Sequence, residues 1–128
     1  MTFPAKVVLL VDDSPTVRRM LEWSLKPAGF RILHAGDGLE ALDVLRAGEV
    51  DLAIVDLNMP RMDGIELIRT LRAEERLKSL PVILLTTESR EVDRELARNA
   101  GANLFLPKPS TPSVIRLHVY AMLGAAQT

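Results

Sequence analysis

Cysteine is absent from the 128 residues, which excludes disulfides and thiolate metal sites. No charge of one sign predominates either. The 16 Lys and Arg and 17 Asp and Glu are interspersed and sum to a net charge of −1. They leave no broad basic field for nucleic acid or an anionic membrane surface, so neither is expected to be bound directly. No apolar run approaches the ~20 residues that a membrane-spanning helix needs, and the start MTFPAK lacks the long apolar segment of a secretory signal. A cytoplasmic protein is expected. What is present, 48% hydrophobic and 26% charged residues, fits one compact domain. A chain of this length should bury roughly 65–70% of the surface exposed by its unfolded form.

Five short apolar segments recur with amphipathic stretches between them: VVLLV at 7–11, RILHA at 31–35, LAIVDL at 52–57, PVILLTT at 81–87 and NLFL at 103–106. Such spacing predicts repeated strand–helix units. A first helix should open with Ser14 as N-cap and Pro15 behind it, carry Val17, Met20, Leu21, Leu25 and Ala28 on its inner face, and end or kink near Pro27. Asp37 with Glu40, and Asp63 with Glu66, mark the starts of the second and third helices, while Gly48 and Gly101 sit where helices stop. The fourth helix, within SREVDRELARN, shows a weak apolar stripe of Val92, Leu96 and Ala100. The fifth begins at Thr111 and Pro112, with Ile115, Val119, Met122 and Leu123 facing inward.

Strands buried on both faces read as continuous apolar runs, which makes the segments at 7, 52 and 81 central and those at 31 and 103 edges. The arrangement that meets this requirement with right-handed crossovers is α/β: a (βα)5 doubly wound, five-stranded parallel sheet of order 2-1-3-4-5. Strands one and three are then neighbours, and ligands bind beyond their carboxyl ends, where the chain's winding reverses.

Asp12 and Asp13 end the first strand and Asp56 ends the third, so three acids converge there. Crowded carboxylates repel one another unless a cation compensates them. With only oxygen donors, no cysteine and no nearby histidine pair, Mg²⁺ or Mn²⁺ is favoured over zinc. Thr86 ends the fourth strand and Lys108 follows the fifth. A metal, a lysine and a hydroxyl around a carboxylate form a clamp for a phosphoryl group, with Asp56 as nucleophile. His34 and His118 have no partners at ligand spacing. Trp23 lies off the inner stripe of the first helix and should be partly exposed.

The motifs VDDS at 11–14, DLNMPRMDG at 56–64, LTTES at 85–89, AGAN at 100–103 and KP at 108–109, in this order, resemble the receiver (response regulatory) domain of bacterial two-component regulators, of the CheY-like kind. The resemblance spans nearly the whole chain and implies a single receiver domain over 1–128 with the flavodoxin-like fold. It implies that Asp56 accepts a phosphoryl group from a sensor histidine kinase or phosphotransfer protein, or from a small acyl phosphate, becoming a 4-aspartylphosphate. Mg²⁺ would be bound by Asp13, Asp56 and the backbone carbonyl of Asn58, with Asp12 helping through water. Lys108 would pair with a phosphoryl oxygen, before a cis Lys108–Pro109 peptide. Thr86 would be the switch hydroxyl, moving as Phe105 turns inward, and a downstream protein would bind the surface of the fourth helix, fifth strand and fifth helix. Asn58 and Glu88 occupy positions that tune phosphoryl entry and loss. Thr87 replaces the small residue common after the switch threonine, and Phe105 the frequent tyrosine.

The resemblance thus implies a signalling switch, possessing only self-catalysed phosphotransfer and hydrolysis, that stands alone with a role in chemotaxis or a general relay. Two alternatives remain at this point. A Mg²⁺-dependent phosphatase would usually need a second acid near its nucleophile, for instance two residues on, where Asn58 stands. A receiver cut from a longer regulator is the other, since GAAQT reads equally as a tail or a severed linker.

Overall fold

The computed structural model describes residues 5–87 and 90–123. Strands and helices alternate: β1 (Val7–Val11), α1 (Pro15–Leu25), β2 (Arg31–Ala35), α2 (Gly38–Ala47), β3 (Leu52–Val55), α3 (Gly64–Ala73), β4 (Val82–Thr86), α4 (Glu91–Ala100), β5 (Leu104–Pro107) and α5 (Pro112–Leu123). The strands form one parallel sheet in the order β2-β1-β3-β4-β5, as expected from the apolar runs. Every residue of β1, β3 and β4 is buried, whereas β2 and β5 are mixed, because only inner strands are covered on both faces and flanked on both sides.

Side-chain alternation divides the core between the two faces of the sheet. Leu9, Val11, Ala53, Val55 and Leu84 pack beneath α2, α3 and α4, whose Leu42, Leu45, Leu67, Leu71 and Ala97 lie in the same cluster. Val8, Leu10, Ile54, Ile83 and Leu85 face the other way, toward Leu21 and Leu25 of α1 and Ile115 and Val119 of α5. Each large aliphatic side chain withdrawn from water contributes about 1.5–3 kcal/mol before entropy is counted. These two layers hold the strand ends in register. Among the described residues no helix is long and apolar enough to cross a membrane.

The helix boundaries follow their caps. The Ser14 hydroxyl accepts from the Val17 amide, the Asp37 carboxylate from Glu40 and the Asp63 carboxylate from Glu66. Gly101 closes α4 in the left-handed conformation at φ 112, its amide donating to the Ala97 carbonyl. Near Pro27 the helix tightens as expected: α1 stops at Leu25 and a 3-10 turn covers Lys26–Ala28. Trp23 is exposed.

Two inner stripes differ from expectation. Met20 is 55% exposed, because the buried side of α1 runs through Leu21, Ser24 and Leu25, and Met20 stands 100° round from Leu21. In α4, Val92 and Leu96 are exposed and the inward residues are Asp93, Ala97 and Ala100. The helix packs against α3 and β5 through small side chains, which admit a close approach, and the buried Asp93 carboxylate is met by Arg90 Nε at 3.0 Å. Packing has thus turned α4 by one residue from the phase its apolar letters indicate.

Gly64 opens α3 directly under the nucleophile candidate. A Cβ there would lie 2.5 Å from the Asp56 carbonyl oxygen and 3.0 Å from Leu84 Cδ1, whereas one on Gly48 would meet nothing within 4 Å. Gly64→Ala should therefore cost roughly 1–3 kcal/mol. Gly48→Ala should be neutral or stabilise by up to about 1 kcal/mol. Urea denaturation of both variants tests the pair, and equal effects would contradict the packing described.

Candidate functional site

Register places the site. Val11 pairs with Val55 and Thr86 with Pro107, so the next residues along β1, β3 and β5 (Asp12, Asp56 and Lys108) leave the sheet together at its carboxyl edge. Main-chain bonds fix them: the Asp12 amide donates to Ala35 at 3.1 Å, Asp56 to Val11 at 2.9 Å and Lys108 to Thr86 at 2.9 Å. Asp12 and Asp56 are buried and Asp13 is exposed. Each of the three offers a carboxylate oxygen, and these oxygens all lie within 4.8 Å of one another. The acids singled out from the sequence do converge.

Lys108 reaches in from the opposite wall, but it leans on Asp12: Nζ is 2.6 Å from Asp12 Oδ2 and 3.6 Å from Asp56 Oδ1. Its peptide to Pro109 is cis. Thr86 is buried at the end of β4, Thr87 beside it is exposed, and Asn58 is exposed in the loop after β3. Phe105 is half-buried on β5, with the Arg94 guanidinium 5.5 Å from its ring centroid. Glu88 lies outside the described residues. His34 pairs with Glu22 across the α1–β2 edge, away from the acids.

Burial drives the Asp56 carboxyl up from its ordinary 3.8 to about 6. The Asp12 charge adds to the rise, Lys108 opposes it, Asp13 raises it further and the Asn58 amide lowers it. Three carboxylates against one ammonium leave a deficit of two positive charges. Hard oxygen donors with that deficit suit a divalent cation of the magnesium type, so the residues present fit one.

Two contacts were not legible from the motifs. Asp12 is held by more than its own turn: Oδ1 accepts from the Ser14 amide at 2.9 Å, and its carbonyl accepts from Arg18 Nη1 at 2.6 Å. Arg18 lies four residues past the cap, so helical spacing alone would bring it back over the acids. The other is an ion pair between Arg61 and Asp37, joining two loops that the sequence separates. No local signal announces it.

Comparison with known proteins decides the family. A profile described as the response regulator receiver domain matches residues 8–120. The chain is 42% identical over 110 residues to the chemotaxis protein CheY of Pseudomonas aeruginosa, covering 85% of this chain and 89% of that one. The chain belongs to the response regulator receiver family. Among solved structures, CheY4 of Vibrio cholerae superposes with a TM-score of 0.89 at 33% identity, over 94% of this receiver and all of that chain. The receiver domain of a sensor histidine kinase from Pseudomonas aeruginosa, 29% identical with a TM-score of 0.87 over 94% of this chain and 99% of that one, has magnesium coordinated in its active-site cleft. The similarity to chemotaxis proteins extends through most of the chain, and the receiver is of the chemotaxis type.

A carboxyl whose folded pKa is raised binds its proton more tightly in the native state. Its ionisation therefore destabilises the fold, and the loss grows as pH rises from about 4 through 6. Asp56→Asn should stabilise the metal-free receiver by about 2 kcal/mol at pH 7, fading to nothing below about pH 4. Denaturant unfolding in EDTA across that range tests this, and a pH-independent difference would contradict it.

Proposed function

We propose that this receiver is a phosphorylation-switched signalling module in which Asp56 accepts a phosphoryl group from a histidine kinase or phosphotransfer protein. The observation that carries the proposal is the position of Asp56: a buried carboxylate with a raised pKa, beside two more acids and within 3.6 Å of a lysine. Asp13, Asp56 and the Asn58 carbonyl, with Asp12 through water, would hold magnesium, which would supply the positive charge that lets an anionic donor meet an anionic nucleophile. The Asp56 oxygen bonds to phosphorus as the donor's phosphorus–nitrogen bond breaks, its electron pair leaving with the imidazole. Lys108, already poised between Asp12 and Asp56, shifts its charge to the incoming phosphoryl oxygens. Little else is needed, since phosphoryl transfer depends mainly on positioning and charge.

A protein donor has a surface to rest on. An apolar groove of about 560 Å³, lined by Val17, Met20, Trp23, Leu85, Pro109 and Pro112, runs up to Lys108. The exposed Met20 and Trp23 form part of its wall. On the output side, Thr86 is the switch hydroxyl and Phe105 the side chain that responds. Phe105 borders a groove of about 270 Å³ against α4, beside Arg94, Ala97 and Arg98. The α4–β5–α5 surface then presents a different face to its protein target. A differential of a few kcal/mol between two existing conformations suffices. The chain acts in the cytoplasm as one receiver domain, a switch rather than an enzyme turning over small substrates.

Incubation with Mg²⁺ and acetyl phosphate should add one phosphoryl mass to the wild type and none to Asp56→Asn, with no steady phosphate release from generic phosphate esters. Equal labelling of both proteins would overturn the assignment of Asp56, and sustained ester hydrolysis would favour a phosphatase.

A further inference from the structure

Among the described residues Arg61 alone combines a side chain with positive φ, at 68°. Left-handed backbone is disfavoured for any residue bearing a Cβ, and glycine or asparagine is its usual occupant. An arginine there needs a reason from outside its own turn. Its side chain crosses to the β2–α2 turn and pairs with Asp37.

Asp37 is already fixed. Its Oδ1 caps α2 through the Glu40 amide at 2.8 Å, leaving Oδ2 for the Arg61 guanidinium. The Glu40 amide first, and Arg61 second, hold its carboxyl below the usual carboxylate range, so it stays charged at neutral pH. Beside it, Gly38 is pressed against Met62: a Cβ on Gly38 would lie 2.7 Å from Met62 Cγ and 2.9 Å from the Met62 carbonyl oxygen. Residues 37 and 38 thus grip residues 61 and 62.

The gripped loop is the one that leaves Asp56 and carries Asn58. Its far end is tied by the Gly64 amide to the Leu57 carbonyl at 2.9 Å, and it folds on itself from the Met62 amide to the Pro60 carbonyl at 2.8 Å. The Arg61–Asp37 pair adds a tie from the side. We propose that this pair is a latch that positions the Asn58 carbonyl for the cation, making Arg61 and Asp37 positioning residues for a site neither belongs to. The inference rests on the magnesium reading given above.

A purely electrostatic role and a positioning role differ in sign. Removing the Arg61 charge would strengthen cation binding through the field, and removing the Asp37 charge would weaken it. Loss of position weakens binding in both cases. Asn is as good an N-cap as Asp, so Asp37→Asn breaks the ion pair and leaves α2 capped. Because one partner is largely exposed, the expected effect is modest, about threefold to fivefold.

Calorimetric titration of the full chain with MgCl₂ at constant ionic strength provides the test. Arg61→Gln and Asp37→Asn should each weaken Mg²⁺ binding about threefold to fivefold, the double variant no more than either, and Arg61→Lys should recover most of the loss. In the metal-free protein, amides of residues 57–62 should exchange faster in both single variants than in wild type. Opposite-signed changes, or lower thermal stability with unchanged Mg²⁺ affinity and loop exchange, would overturn the latch. If wild type itself binds no Mg²⁺, the magnesium reading fails and the latch's function with it.

Discussion

Mutual repulsion among carboxylates at the ends of two neighbouring strands is the constraint on which the site depends. Asp12 and Asp56 are withdrawn from water by the same layers that bury the strands carrying them, and Asp13 stands at the mouth. A protein selected for stability alone would neutralise such a cluster or expose it. Here one lysine partly offsets it, and it pairs more closely with Asp12 than with Asp56. Asp56 is thereby left with the longer of the two lysine contacts, as the nucleophile proposed above requires.

The fold makes the cluster unavoidable. Parallel strands in the order 2-1-3-4-5 place β1 beside β3, and the register Val11 with Val55 leaves their next residues no choice but to emerge side by side. The same logic on the other flank brings Lys108 past Pro107, opposite Thr86. The acids, Lys108 and Thr86 thus share one edge of one sheet. α4 turns alanines and Asp93 inward and Val92 and Leu96 outward, so less apolar side chain anchors it than anchors α3 through Leu67, Ile68 and Leu71.

Much of this was legible because it is local. Caps at Ser14, Asp37 and Asp63 follow from residue type and spacing, and strand centrality from unbroken apolar runs. The converging acids follow once topology is granted. Phase was less legible: Val92 and Leu96 look like a core stripe with Ala100 until packing against α3 and β5 keeps Ala100 and turns Asp93 and Ala97 inward in place of the other two. Least legible were bonds between loops distant in the chain, such as Arg61 to Asp37, and the choice Lys108 makes between two acids. Those depend on ångström-scale geometry that no periodicity encodes.

The central claim is that burial, reinforced by the neighbouring Asp12 and Asp13 charges, raises the Asp56 carboxyl to about 6 and that a divalent cation relieves it. Cation binding must then expel the proton that burial and the neighbouring acids retain. Calorimetry of Mg²⁺ binding at pH 6 in buffers of different ionisation enthalpy measures this directly. The account predicts release of about half a proton per Mg²⁺ at pH 6, falling to nearly none at pH 8. Mg²⁺ binding with no proton release at pH 6, or no Mg²⁺ binding at either pH, would contradict it.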